Sequence, residues 1–88
     1  MGRSYRARPR KLGAKLKQIR LSLELTQEQM VKELAVRDEP LYSASISQYE
    51  SGKREPPLLV LLRYAELYGC TMEELVKDKV RLGKKRRR

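Results

Sequence analysis

The sequence has no histidine, no tryptophan and no phenylalanine, and a single cysteine, Cys70. Without histidine it lacks the commonest general base and the commonest metal ligand. One cysteine cannot build a disulfide framework, and with no histidine to join it a metal site is not expected. No cofactor and no enzymatic chemistry are therefore anticipated. Nowhere does the chain approach the roughly 20 consecutive apolar residues of a membrane span, and no signal peptide is expected from its charged start.

What is present is leucine and charge. A chain of 88 residues is sized for one domain with one modest core. The apolar set is rich in Leu, with Val, Ile, Met, Ala and five Tyr, a balance that favours helices over strands. The net charge of +10 is concentrated at the ends. Residues 1–11 hold Arg3, Arg6, Arg8, Arg10 and Lys11 and no acid; residues 77–88 hold eight basic residues against Asp78 alone. A near-neutral body between basic arms attracts a polyanion without strong self-repulsion. The expected division is a basic arm at 1–11, a folded body at 12–78 and a basic tail at 79–88.

Periodicity and punctuation mark out five helices. Leu12, Leu16, Ile19 and Leu23 recur on one helical face from about Pro9 to Leu23. Thr26 and Gln29 form a T-x-x-Q capping box, with Leu25 and Met30 as its hydrophobic staple, so a second helix opens at Thr26. Its stripe is Met30, Val31, Leu34 and Ala35. A third helix lies around Ser43–Ser51, its inward candidates Ile46, Tyr49 and Glu50, and Gly52 suits the left-handed residue that ends it. Pro57 and Gly69 bracket a fourth helix with Leu58, Leu61, Leu62, Ala65 and Tyr68 as its core face. Thr71 with Glu74, stapled by Cys70 and Leu75, opens a fifth.

The third helix has the character of a reading head. A helix fits the major groove, where each base pair shows a distinct pattern of donors and acceptors. Its outer residues should then be short and polar, as Ser43, Ala44, Ser45, Ser47 and Gln48 are. Gln48 can pair with adenine through two bonds, the serines can bond bases or phosphates, and the Ala44 methyl can meet a thymine methyl. The bland alternative is a solvated polar face.

The run Leu25-Thr26-Gln27 … Ile46-Ser47-Gln48-Tyr49-Glu50-Ser51-Gly52-Lys53 resembles the phage-repressor-like, or Cro/C1-type (XRE), helix-turn-helix family. The likeness continues through Pro56 … Leu58 … Leu61-Leu62 … Tyr64-Ala65 … Gly69 … Glu74-Leu75 and includes Leu12-Gly13 … Leu16 … Ile19-Arg20. It implies an all-α, five-helix lambda-repressor-like domain. It also implies base contacts from Ser43, Ala44 and Gln48, a phosphate brace from Gln27, and a partly buried ion pair between Arg20 and Glu50. Lys53 and Arg54 form a second phosphate grip, with Ser51 assisting from the helix end. The arm residues Arg3, Arg6, Arg8, Arg10 and Lys11 are candidates for a neighbouring narrow groove.

The sequence departs from the family twice. Val31 stands where the family has a small residue, and Ala35 near its glycine, positions where close packing of the second and third helices is expected. Residues 35–42 also lengthen a normally short turn, so Pro40 either begins an extended third helix or belongs to a loop beside the DNA. The leading expectation is a cytoplasmic, nucleoid-associated repressor binding a palindromic DNA operator as a homodimer through helix five, Val76, Val80 and Leu82. An antitoxin-type autoregulator with a protein partner, a bridging module of the same fold, and RNA or membrane-surface binding through the tails remain open at this stage.

Overall fold

The computed structural model describes residues 9–37 and 40–83. Among them the chain forms α1 (Leu12–Ser22), α2 (Gln27–Leu34), α3 (Ser43–Ser51), α4 (Leu58–Tyr68) and α5 (Met72–Val76), with no strand. The fold is all-helical with five helices, as the periodicity indicated. Helix α1 packs against α3, α4 and α5, while α2 packs against α3 and α4. The shared core holds Leu12, Leu16, Ile19, Met30, Leu34, Ile46, Tyr49, Val60, Leu61, Tyr64, Ala65, Tyr68 and Leu75. Leu16, Ile19, Met30, Leu34, Ile46, Val60, Tyr64 and Leu75 have no accessible surface. The Tyr64 hydroxyl is buried with no hydrogen-bond partner among the described residues, and burial pushes its pKa well above the usual phenol value.

Local signals start α2 and α5. Thr26 accepts from the Gln29 N–H at 3.1 Å while the Gln29 side chain accepts from the Thr26 N–H at 2.8 Å. Thr71 and Glu74 repeat the arrangement at 3.1 and 2.8 Å. Each box satisfies two of the N–H groups that a helix start leaves free. Gly52 and Gly69 end α3 and α4 at φ 83° and 87°, a left-handed conformation that costs glycine nothing.

Three further helix ends are met by charged side chains from elsewhere in the fold. Helix α1 begins at Leu12, later than the expected Pro9, and has no cap from its own N-terminus. The Asp78 carboxylate accepts instead from the N–H groups of Arg10 and Lys11, at 3.0 and 2.9 Å. At the end of α2, Arg63 donates to the carbonyls of Leu34 and Glu33 at 3.1 and 2.9 Å. Lys15, on the inner face of α1 and only 7% exposed, donates to the carbonyls of Glu74, Lys77 and Val80 at 2.6, 2.9 and 2.7 Å. One ammonium thereby spends its three donors on the end of α5 and the turn beyond.

Several expected positions are corrected. Leu58 and Leu62, expected in the core face of α4, are 70% and 40% exposed, and Val60 and Tyr64 are buried in their place. Five consecutive apolar residues at 58–62 blur the helical period, so the packing of α4 on its neighbours selects the buried stripe. Ala35 is exposed rather than part of the α2 stripe, and it caps the helix at φ 38°. A glycine is suited to this place for its backbone freedom, not for close packing. Residues 79–83, expected as tail, are tied to the body: Leu82 packs on the core, and the Tyr68 hydroxyl donates to the Gly83 carbonyl at 2.6 Å.

Two outcomes follow from these ends. Replacing Ala35 with Gly should stabilise the domain by about 0.5–1 kcal/mol in urea unfolding, since it relieves a left-handed alanine; a loss of stability would contradict that origin. The backbone N–H groups of Arg10 and Lys11 hold the Asp78 carboxyl below its ordinary value of 3.8. Its stabilisation is therefore complete above 3.8 and lost as the pH falls through the lower folded value. Asp78→Asn should lower the melting temperature at pH 7, and the gap should narrow as the pH is taken below 3.8; a gap that does not change with pH would rule out the charge as the cause.

Candidate nucleic-acid interface

The outward surface of α3 is built from the inside. Ile46 and Tyr49 anchor the helix in the core. Glu50 anchors it electrostatically: the Arg20 Nε donates to one carboxylate oxygen at 2.6 Å and the second guanidinium nitrogen to the other at 3.1 Å. The two side chains are 11% and 6% exposed. The fork is completed by a 2.9 Å bond from Arg20 to the Leu25 carbonyl, just ahead of α2. The Gln27 amide then donates to Glu50 at 3.3 Å. Hydrogen bonding to Glu50 raises the Arg20 pKa further, against the opposing effect of burial. One carboxylate thus fastens α1, the α1–α2 turn and α2 to α3.

Gly13 sets the spacing of the same contact. A Cβ at this position would lie 2.6 Å from the Glu50 carbonyl oxygen and 2.9 Å from that of Tyr49. Only glycine lets α1 come this close to the end of α3. The start of α1, and with it the chain entering from Arg10 and Lys11, therefore lies beside the C-terminal end of α3.

With Glu50, Tyr49 and Ile46 inward, Ala44 and Ser47 are exposed and Ser43 and Gln48 half-buried. Ser45 is corrected from the expected reading set. It is 6% exposed, and its hydroxyl accepts from the Tyr42 N–H at 3.2 Å, which makes it a cap of the α3 start. The lengthened segment before α3 does not extend the helix: Pro40–Tyr42 are non-helical and α3 begins at Ser43. Tyr42, 66% exposed immediately before Ser43, was missed by sequence reasoning. Its signal, a polar-tipped aromatic at a helix start, could be read only once that start was fixed.

The turn after α3 is drawn tightly onto Gln48. Gly52 allows the N–H groups of Lys53 and Arg54 to fold back on the Gln48 carbonyl at 2.9 and 3.2 Å, and the Ser51 hydroxyl donates to the same carbonyl at 3.2 Å. Lys53 and Arg54 are exposed next to Gln48, and Ser51 is exposed at the helix end. Gln27, at the first helical position of α2, is half-buried and has an amide hydrogen left after its bond to Glu50. Of the arm residues, the side chains of Arg10 and Lys11 are exposed, while Arg3, Arg6 and Arg8 lie outside the described residues. Among the described residues no group of histidine, cysteine and carboxylate side chains could hold a metal ion, and no helix is long and apolar enough to cross a membrane.

A helix presenting short polar groups, locked at a fixed angle to a preceding helix, defines a helix-turn-helix unit of the DNA-binding class. The chain belongs to the helix-turn-helix domain family, whose model matches residues 13–80, and its domain is of the phage-repressor-like kind. It is similar to the P22 c2 repressor protein in its crystal structure with synthetic operator 9T in the presence of Tl+. The identity is 25% and the TM-score 0.64, over 76% of this chain and 94% of that one. No curated protein matches the chain significantly.

The buried pair makes a direct stability test. Glu50→Gln leaves the Arg20 charge buried without its partner and should cost about 3 kcal/mol or more in denaturant unfolding; a change below about 0.5 kcal/mol, the level of an ordinary surface substitution, would mean the pair does not fasten α3.

Proposed function

We propose that the chain is a sequence-specific regulator of transcription, acting as a repressor at the nucleoid in the cytoplasm and reading the major groove of duplex DNA with α3. The observation that carries this reading is the outer face of α3, with Ser43, Ala44, Ser47 and Gln48 pointing away from a core fastened through Arg20 and Glu50. Groups of this size and polarity suit base edges, and Gln48 is the one with a side chain long enough to make two bonds to a single base. Phosphates are gripped on either side. Gln27 offers its remaining amide hydrogen at the start of α2, where free N–H groups and the helix dipole favour an anion. Ser51, Lys53 and Arg54 grip from the far end. Tyr42 joins the reading surface from the α3 start. Arg10 and Lys11, together with Arg3, Arg6 and Arg8, add a second attachment to the backbone or minor groove.

The target we propose is a palindrome bound by two copies, since two-fold proteins meet two-fold sites; the similar P22 c2 repressor is itself in complex with a synthetic operator. Of the expected contact through helix five, Val76, Val80 and Leu82, Val76 is 37% exposed and lies beside Leu58, whereas Val80 and Leu82 are half-buried and Leu82 packs on its own core. Leu58, Leu59 and Leu62 supply a better face: they are 70%, 59% and 40% exposed on α4, which directly follows the turn after α3. Covering three neighbouring leucines is favourable.

Selection of bound duplexes from a random library, with the mass of the complex measured on the winner, tests the reading. The expected result is an enriched two-fold symmetric sequence carrying two protein chains. Gln48→Ala should flatten base preference at one position per half-site while binding to unrelated DNA changes less than about threefold. No enrichment of any sequence, or a uniform loss on all sequences with Gln48→Ala, would overturn base reading. A single chain on the selected site would overturn the dimer.

A further inference from the structure

We infer that Asp78, an acid, strengthens the hold of this domain on duplex DNA. It is a positioning residue that keeps Arg10 beside Lys53 and Arg54, so that the three cations meet the phosphate backbone together. This rests on the DNA-binding role proposed above. An acidic side chain near a basic surface ordinarily weakens attraction to a polyanion. Here the carboxylate is turned to another use. Its two oxygens accept from the N–H groups of Arg10 and Lys11, at 3.0 and 2.9 Å, so the chain is held at two successive residues. A cation on a free chain must be ordered when it meets a phosphate, which offsets part of what the contact contributes. With its backbone bonded in advance, Arg10 has only its side chain left to order.

The carboxylate is itself held in place. Asp78 stands in the turn after α5, which is closed by the Val80 N–H donating to the Lys77 carbonyl at 3.1 Å. Lys15 donates to the carbonyls of Lys77 and Val80 at 2.9 and 2.7 Å, on either side of Asp78 in the chain. Lys15 belongs to α1, one turn beyond Lys11. Helix α1 thus grips the turn that grips its own start, and the entry of the chain into α1 is fixed from both directions.

Two observations place that entry beside the turn after α3. Gly13 lies against the Tyr49 and Glu50 carbonyls, where a Cβ would come within 2.9 and 2.6 Å. Earlier in the chain, Pro9 lines a groove with Glu55, Pro56 and Pro57. The segments 9–13 and 50–55 therefore lie side by side, Gly13 by Glu50 and Pro9 by Glu55. Arg10 stands in one segment and Lys53 and Arg54 in the other, all three exposed. Lys11 borders a different groove, with Gln18, Asp78 and Arg81, so Arg10 is the cation of the entry that belongs with Lys53 and Arg54. An amide at position 78 could not keep this arrangement. Asparagine has one oxygen for two N–H groups, and its NH2 would meet the second of them donor to donor.

The test is a cycle of the full chain with Asp78→Asn, Arg10→Met and both together, titrated with a mixed-sequence duplex over a range of salt, below every melting temperature. Arg10→Met should weaken binding about threefold and lower the salt slope by about one, the effect of a single phosphate contact. Asp78→Asn should also weaken binding and lower the slope, although it removes a negative charge, and it should do neither once Arg10 is methionine. Tighter binding by Asp78→Asn would mean that the acid merely repels DNA, and would overturn the inference. An equal loss with and without Arg10 would make Asp78 a support of the fold alone and overturn it as well. Hydrogen exchange on the wild type gives a second measurement that needs no variant to fold. The Arg10 and Lys11 amides should be protected both in the free protein and on the duplex, and loss of protection on the duplex would break the clasp. A wild type that does not bind the duplex at all would instead remove the DNA-binding role on which the inference stands.

Discussion

The fold turns on a single carboxylate. Glu50 sits near the end of α3 and is held from two directions, by the Arg20 guanidinium of α1 and by the Gln27 amide of α2, while Arg20 reaches on to the Leu25 carbonyl. A short helix with few apolar residues has little to fix its rotation about its own axis. Ile46 and Tyr49 supply depth, but a charged and nearly buried partner supplies an angular constraint, because rotating α3 would strand two opposite charges in the interior. The orientation of Gln48 and Ser47 toward solvent is the other side of the same constraint. Gly13 belongs with it, since any larger residue would push α1 away from α3 and pull Arg20 off Glu50.

A second theme is the use of charge to finish helices. Asp78, Arg63 and Lys15 each close a helix end belonging to a different part of the chain. For a small domain with no tryptophan or phenylalanine, bonds of this kind supplement a limited core. They also change how the net charge of +10 is read. Lys15, Arg20 and Arg63 are committed to carbonyls and carboxylates inside the fold. The basic groups left to meet a polyanion on the described surface include Lys53 and Arg54 after α3, and Arg10 and Lys11 before α1. They flank the polar face of α3 rather than cover it.

The turn after α3 joins these themes. Gly52 reverses the chain, and three donors from the next residues and Ser51 converge on the Gln48 carbonyl. Gln48 and the turn residues 51–54 are one structural unit, and a change at 52–54 is felt at Gln48 through the backbone.

How much of this was legible depended on whether the cause was local. The capping boxes at Thr26 and Thr71, and the glycines at 52 and 69, act over three or four residues, and the sequence alone determined those helix ends. It also determined the all-helical class, through the Leu12–Leu16–Ile19 period, and the polar character of the α3 face. Only the tertiary structure decided what depends on partners far along the chain. Lys15 reads as one more surface lysine until the carbonyls around Val80 are beside it, and Asp78 reads as a stray acid until it caps α1. Ser45 looks like its neighbours Ser43 and Ser47 until helix phase turns it inward, and Leu58 looks like core until Val60 and Tyr64 take that place. The physical reason is common to all four: periodicity fixes which residues share a face, but the direction of that face and the donors that meet it are set by packing against elements remote in sequence.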